Sequence, residues 1–319
     1  MRIFLVSSLF ALSLAAAALP LACSSAPADP APAPAASAGP TPADPTPAPD
    51  AGADAASPEK KIPEGGSAGC GKPATEIDYA EGRSLTALGK ARTFARYVPK
   101  SYDPYRAYRV VFVLHSGGRT GASTRPYFDL EKHAGESAIF LYPDGLDKNW
   151  DLDTQPPNNP DVAFFDALLA ETSARYCVDK ARVFVTGSSM GAYLTNQLGC
   201  WRGAGAIRAI APHAGSGPYR DQGGKYDAEG HLVCEAEAPA AMVFHGLADT
   251  NVKPDDGKFS AEHWRFWNGC AAATSPIAPS PCTKHEGCKK PVQTCWIPGQ
   301  GHALWSESRK ATWDFFASF

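Results

Sequence analysis

The chain has no surplus of basic residues: 30 Lys and Arg stand against 33 Asp and Glu, a formal net charge of −3. That balance excludes the basic footprint of a nucleic-acid binder and a cationic membrane-binding face. No apolar run after the first two dozen residues is long enough to cross a bilayer. No internal repeat and no separate carbohydrate-binding module can be read along the chain. Residues 24–66 lack almost everything a core requires, being nearly all Ala, Pro, Asp, Ser and Gly. Such a stretch buries too little apolar surface to offset the entropy of ordering, so a spacer with polyproline character is expected there.

Residues 1–22 carry a single charge, Arg2, ahead of the apolar run Ile3–Leu21. A short charged start followed by an apolar stretch is the pattern of a secretory signal. A membrane anchor is the competing reading, but the run is near the lower length limit and Pro20 interrupts its end. Leu19-Pro20-Leu21-Ala22-Cys23 is similar to a bacterial lipobox, with Pro20 where an aliphatic residue is usual. Lipidation of Cys23 is therefore expected, with ordinary signal cleavage as the alternative. The division is then a signal at 1–22, a lipidated Cys and spacer at 23–66, and one folded domain at 67–319. The chain contains nine Cys, so eight remain after Cys23. An even number in an exported chain argues for disulfides, although eight allow 105 connectivities.

Within the folded part, short apolar runs alternate with helical patterns. The runs are Arg109–Leu114, Ala138–Tyr142, Arg182–Thr186, Ile207–Ala211, Ala241–His245 and Val292–Ile297. Most are apolar on both faces, as strands covered on both sides must be. Helices are expected at 126–135, 161–176, 190–200, 260–268 and 307–318. Strand then helix, repeated, predicts an α/β fold: a doubly wound, mostly parallel sheet with helices on both faces. Thr93–Val98, stopped by Pro99, reads as an antiparallel edge strand.

Ligands of such sheets bind at the carboxyl ends of the strands. Gly187-Ser188-Ser189-Met190-Gly191 lies at one of these ends and matches G-x-S-x-G between a strand and a helix. There a serine sits on a strained turn with its hydroxyl exposed, which makes Ser189 the candidate nucleophile. A serine needs a base, and the base needs an orienting carboxylate. Asp249, a few residues past an apolar strand, is the candidate acid. His302, in the glycine-rich loop Gly299–His302, is the candidate base. The oxyanion of acyl transfer requires backbone N–H donors. Met190 would supply one, and the loop His115-Ser116-Gly117-Gly118 the other, with Ser116 and Gly117 as the candidates and no choice among 116–118 possible.

Taken together, several segments resemble the secreted feruloyl esterases and the polyhydroxybutyrate depolymerase-like esterases. They are Gly69-Cys70-Gly71-Lys72, Leu141-Tyr142-Pro143-Asp144-Gly145, Asp161-Val162-Ala163-Phe164, and Tyr176-Cys177-Val178-Asp179 leading to Gly191. His245-Gly246-x-x-Asp249, Trp267-Asn268-Gly269-Cys270 and Gly301-His302-x-x-Trp305 complete the set. The resemblance spans roughly residues 69–318, and Ser116, Ser188 and Met190 depart from its pattern. It implies an α/β-hydrolase fold, a Ser189–Asp249–His302 triad and neither metal nor organic cofactor. The implied activity is hydrolysis of hydroxycinnamoyl esters on plant polysaccharide, with acetylated xylan or hydroxyalkanoate polyesters as alternative substrates. An inactive surface-binding protein on a hydrolase scaffold is the alternative of another class.

Trp150 and Trp305 are expected to line the substrate cleft. Cys282-x-x-His285-x-x-Cys288 has the look of a metal motif, but disulfides suit an oxidising compartment better. Pairing is expected between Cys177 and Cys200 and between Cys270 and Cys295, with Cys282–Cys288 and Cys70–Cys234 completing the set. The expected partners are an ester substrate on a polysaccharide or polyester and, through a lipid anchor only, a membrane. No nucleic-acid partner is expected, and the protein is expected to be a monomer, exported and held at a bacterial cell envelope.

Overall fold

A computed structural model describes residues 60–219 and 224–319. The expected signal at 1–22, the lipidation of Cys23 and the spacer as far as residue 59 lie outside the described residues. Ten strands build one sheet: β1 (Asp78–Ala87), β2 (Lys90–Val98), β3 (Tyr108–Leu114), β4 (Ala138–Pro143), β5 (Val178–Ser188), β6 (Ala209–His213), β7 (Ala240–Gly246), β8 (Thr274–Pro276), β9 (Cys282–His285) and β10 (Val292–Ile297). Their spatial order is β1-β2-β4-β3-β5-β6-β7-β10-β9-β8. Neighbours from β4 through β10 run parallel. The two wings are antiparallel, β1 and β2 on one side and β9 and β8 on the other.

Six α-helices accompany the strands: α1 (Gly121–Phe128), α2 (Glu131–Ala134), α3 (Pro160–Arg175), α4 (Met190–Ala206), α5 (Pro254–Trp267) and α6 (Ser308–Ala317). Alternate residues of each central strand face opposite sides of the sheet. Val110, Phe112, Val183 and Val185 join one core with Phe165 of α3, Leu198 of α4 and Trp264 of α5. Val111, Val113, Phe140 and Phe184 join the other core with Phe128 of α1 and Trp313 and Phe316 of α6. Helices on both faces are the reason these strands read as unbroken apolar runs.

Thr93–Val98 is not an edge: β2 lies between β1 and β4. The true edge, β1, is largely solvent-facing and polar, and its register shifts between Ala80 and Arg83, beside Gly82 at φ 66°. A charged, bulged edge carries no apolar periodicity to read.

All eight cysteines among the described residues are paired, and none of the expected pairs forms. The bonds are Cys70–Cys177, Cys200–Cys234, Cys270–Cys288 and Cys282–Cys295. Cys200 lies inside α4, ahead of its kink at Gly203 (φ 47°), where the Ala204 N–H donates to Glu237 O at 2.8 Å; the segment before β7 so anchored carries Cys234, which bonds Cys200 in place of Cys177. Cys177 sits at the foot of β5, where the segment around Ser67 crosses it: the Ser67 N–H donates to Val178 O at 3.0 Å. Cys295 stands directly opposite Cys282 in the β9–β10 ladder, which leaves Cys270 for Cys288. The cysteines flanking His285 therefore belong to two different disulfides. Cys200, Cys234 and His263 also cluster, but both sulfurs are bonded to each other and offer no thiolate.

Candidate active site

Ser189 stands between the end of β5 and the start of α4 with φ 55° and ψ −123°, a conformation L-residues rarely adopt. Two close approaches hold it there. A Cβ on Gly187 would lie 2.4 Å from Gly191 O, and one on Gly191 would lie 2.5 Å from Leu114 O and 2.6 Å from His115 O. Only glycine lets α4 press this close to β5 and β3. The Ser189 N–H donates to His213 O at the end of β6, 2.9 Å away. The strained turn is thus fixed from both sides.

The loops after β7 and β10 bring the other two residues to Ser189. These strands are parallel neighbours, so their carboxyl ends lie side by side. The Ala248 N–H donates to Gln300 O at 2.9 Å, and Gly246 gives the second loop room: a Cβ there would lie 2.2 Å from Gln300 O. His302 Nδ1 lies 2.7 Å from Asp249 Oδ2, and His302 Nε2 lies 2.9 Å from Ser189 Oγ. With Nδ1 protonated toward the carboxylate, Nε2 accepts the serine proton. Asp249 is buried, and its Oδ1 accepts the N–H groups of Asn251 (2.9 Å) and Val252 (3.0 Å). Burial pushes the Asp249 carboxyl up, but the hydrogen bonds from His302, Val252 and Asn251 outweigh it and hold it below the ordinary carboxylate value. Asp249 therefore stays ionised beside the imidazole.

The loop after β3 is shaped by a histidine that the sequence reading passed over. His115 is fully buried. Its Nε2 accepts the Gly145 N–H at 2.8 Å, so the ring proton sits on Nδ1, which donates to Ser116 O at 2.8 Å. Burial lowers the His115 pKa, which keeps this neutral tautomer. Ser116 O also accepts the Arg119 N–H at 3.1 Å. In a trans peptide the C=O and the following N–H point in opposite directions. Drawing Ser116 O back to the His115 ring therefore turns the Gly117 N–H the other way. A Cβ on Gly117 would lie 3.4 Å from Met190 Sδ, so Gly117 borders the first turn of α4. The Gly118 N–H is taken by Lys148 O at 2.8 Å. Among residues 116–118 this removes Gly118 as a donor and favours Gly117. Ser116 instead uses its hydroxyl, donating to Ser188 O at 3.1 Å.

Trp150 does not line the cleft. It is buried, stacks on His115 at 4.3 Å and donates from Nε1 to His115 O at 2.8 Å. It is placed there by Asp161, whose Oδ2 accepts the Asp151 N–H (2.6 Å) and whose Oδ1 meets Arg92 Nη2 (2.5 Å) in a fully buried ion pair. Trp305 is half-buried against the α6 core and lies outside the cavity wall as well. The cavity in front of Ser189 measures about 380 Å³ and opens between the Ser116–Arg119 loop, the first turns of α1 and His302. Tyr127 forms part of its wall and accepts the Leu304 N–H at 3.0 Å, which ties α1 to the loop of His302. The position of His115 directly after β3, at a carboxyl strand end, was the signal that could have marked it.

A parallel sheet flanked by helices, with Ser, Asp and His at three strand ends, defines a serine hydrolase of the α/β-hydrolase class. No protein-family model matches the chain. It is 31% identical over 269 residues to the protein named "Probable feruloyl esterase C" of Aspergillus niger, covering 78% of this chain and 90% of that protein. It is 30% identical over 269 residues to feruloyl esterase C of Emericella nidulans, again covering 78% and 90%. Among solved structures, an acetyl xylan esterase from Aspergillus awamori superposes with a TM-score of 0.57 at 18% identity, covering 73% of this chain and 98% of that one. The chain belongs to the feruloyl-esterase-like family of α/β-hydrolases, and it is a serine esterase.

Proposed function

We propose that Ser189, His302 and Asp249 hydrolyse hydroxycinnamoyl esters on plant polysaccharide through a covalent acyl-enzyme. The reading rests on one observation, the continuous hydrogen-bond path from Ser189 Oγ through His302 to Asp249. Ser189 Oγ attacks the ester carbonyl carbon as its proton passes to His302 Nε2. Asp249, ionised, stabilises the imidazolium that forms. The negative charge arriving on the carbonyl oxygen meets the N–H groups of Met190 and Gly117, two fixed dipoles that need no reorganisation. Collapse breaks the ester C–O bond and returns the proton to the leaving alcohol. Water then attacks the acyl-enzyme with His302 as base. The relatives named as feruloyl esterases support this acyl group.

The test is a panel of methyl ferulate, acetylated xylan and oligohydroxybutyrate. Methyl ferulate should be turned over best, and Ser189→Ala should lower its kcat by roughly 10⁴-fold or more while the protein stays folded. An acetyl ester is the second reading, because apart from the catalytic imidazole Tyr127 is the one aromatic ring among the residues lining the cavity. Preference for acetylated xylan over methyl ferulate would select it.

We also propose export with a lipid on Cys23. Four disulfides among the described residues suit an oxidising compartment. Labelled palmitate should enter the wild type and not Cys23→Ala; no labelling would leave plain secretion, and equal labelling would place a lipid at another residue.

A further inference from the structure

The wall of the cavity flanking the reacting groups is rich in hydrogen-bond donors, and no acid lines it. Apart from His302, Arg119 is the one side chain lining it that carries charge, and neither Asp nor Glu lines it. Arg119 is exposed, and among the described residues its guanidinium has no ion pair and no hydrogen bond. Its root is fixed all the same. The Arg119 N–H is bound to Ser116 O, and the next residue, Thr120, caps α1 by accepting the Ser123 N–H at 3.2 Å. The guanidinium therefore springs from a rigid corner two residues beyond Gly117.

Two further donors share this wall. The Tyr127 oxygen accepts the Leu304 N–H, which leaves its own O–H proton to be given to a ligand. Ser188 lines the cavity with a hydroxyl that has no partner among the described residues, its backbone oxygen being the atom that Ser116 binds. A cation on a fixed backbone corner and two hydroxyl donors, with no acid among the residues lining the cavity, complement an acceptor that bears negative charge. Arg in particular pairs with planar carboxylates through two parallel N–H groups.

We propose that this wall is a subsite for a carboxylate carried by the substrate a few bonds from the scissile ester. The inference rests on the esterase reading: a carboxylate on the alcohol side adds to the hydroxycinnamoyl acyl group proposed above, and one on the acyl side would replace it. The carboxylate has two possible sources: the acyl side, as in the half-ester of a dicarboxylic acid, or the alcohol side, as in a uronic acid of the polysaccharide.

Two matched pairs of esters distinguish the sources. On the acyl side, 4-nitrophenyl hemisuccinate is compared with 4-nitrophenyl butyrate. On the alcohol side, an acetylated uronate oligosaccharide is compared with its neutral counterpart. At low ionic strength the wild type should favour the charged member of one pair by about three- to tenfold in kcat/KM, mostly through KM. Arg119→Gln should bring that ratio to about one or below, Arg119→Lys should fall between, and Tyr127→Phe should reduce it partially. Salt at 0.5 M should compress the wild-type ratio by screening. A wild-type ratio of one or less in both pairs overturns the subsite, and so does a ratio that Arg119→Gln leaves unchanged. Wild-type turnover no better than that of Ser189→Ala on every ester overturns the esterase reading and the subsite with it.

Discussion

At the scale of single residues, the orientation of the loop after β3 depends on one tautomer. His115 gives Nδ1–H to Ser116 O and takes the Gly145 N–H on Nε2. Asn can reproduce the first bond and Gln the second, so the two variants separate the two roles. If the Ser116 carbonyl is what aims the Gly117 N–H, His115→Asn should keep most of kcat. His115→Gln should then lose roughly 10²-fold, near the value of one oxyanion donor, with KM little changed. Equal rates in the two variants, with thermal unfolding matched, would count against that assignment. Little of this was legible beforehand. Ser189 stood out because G-x-S-x-G between a buried strand and a helix has few other uses, and Asp249 and His302 followed from their places after later strands. Trp150 was misplaced because a Trp near a catalytic loop reads alike whether it faces substrate or stacks on a buried ring. What decides between them is the Arg92–Asp161 pair, formed by residues 69 positions apart.

At the scale of elements, legibility followed burial. Every strand covered on both faces announced itself as an apolar run, and each of the six runs corresponds to a strand. The strands missed, β1, β8 and β9, are short or polar and lie in the antiparallel wings, where one face is open to solvent. The disulfides were misjudged for the same reason. Two of them depend on β9 and the turn after it, which periodicity did not reveal, and a third depends on the segment before β7 that meets α4 at its Gly203 kink.

At the scale of the whole molecule, buried imidazoles make stability depend on pH, His213 and His263 more strongly than His115. Burial, reinforced by Arg309, lowers the His213 pKa to about 3, and burial does the same to His263. Above the ordinary imidazole value near 6.5, neither the folded nor the unfolded state holds the proton. Between there and about pH 3 the unfolded chain binds it and the folded chain does not, so stability falls as pH falls. The denaturation midpoint should therefore decline from pH 6.5 to 4.5. In His213→Gln the decline should be shallower, whatever constant offset the substitution adds. A wild-type midpoint that is flat over this window would show that the rings are protonated in place.

The two disulfides around β9 have a further consequence. Cys270–Cys288 and Cys282–Cys295 interleave along the chain. A protease that nicks the backbone anywhere between residues 270 and 295 must leave at least one of them spanning the cut. The fragment that carries β10 and His302 would stay tethered to the fragment that carries Ser189 and Asp249. A clipped chain would then migrate as two pieces only after reduction, and severing this wing cannot release the base.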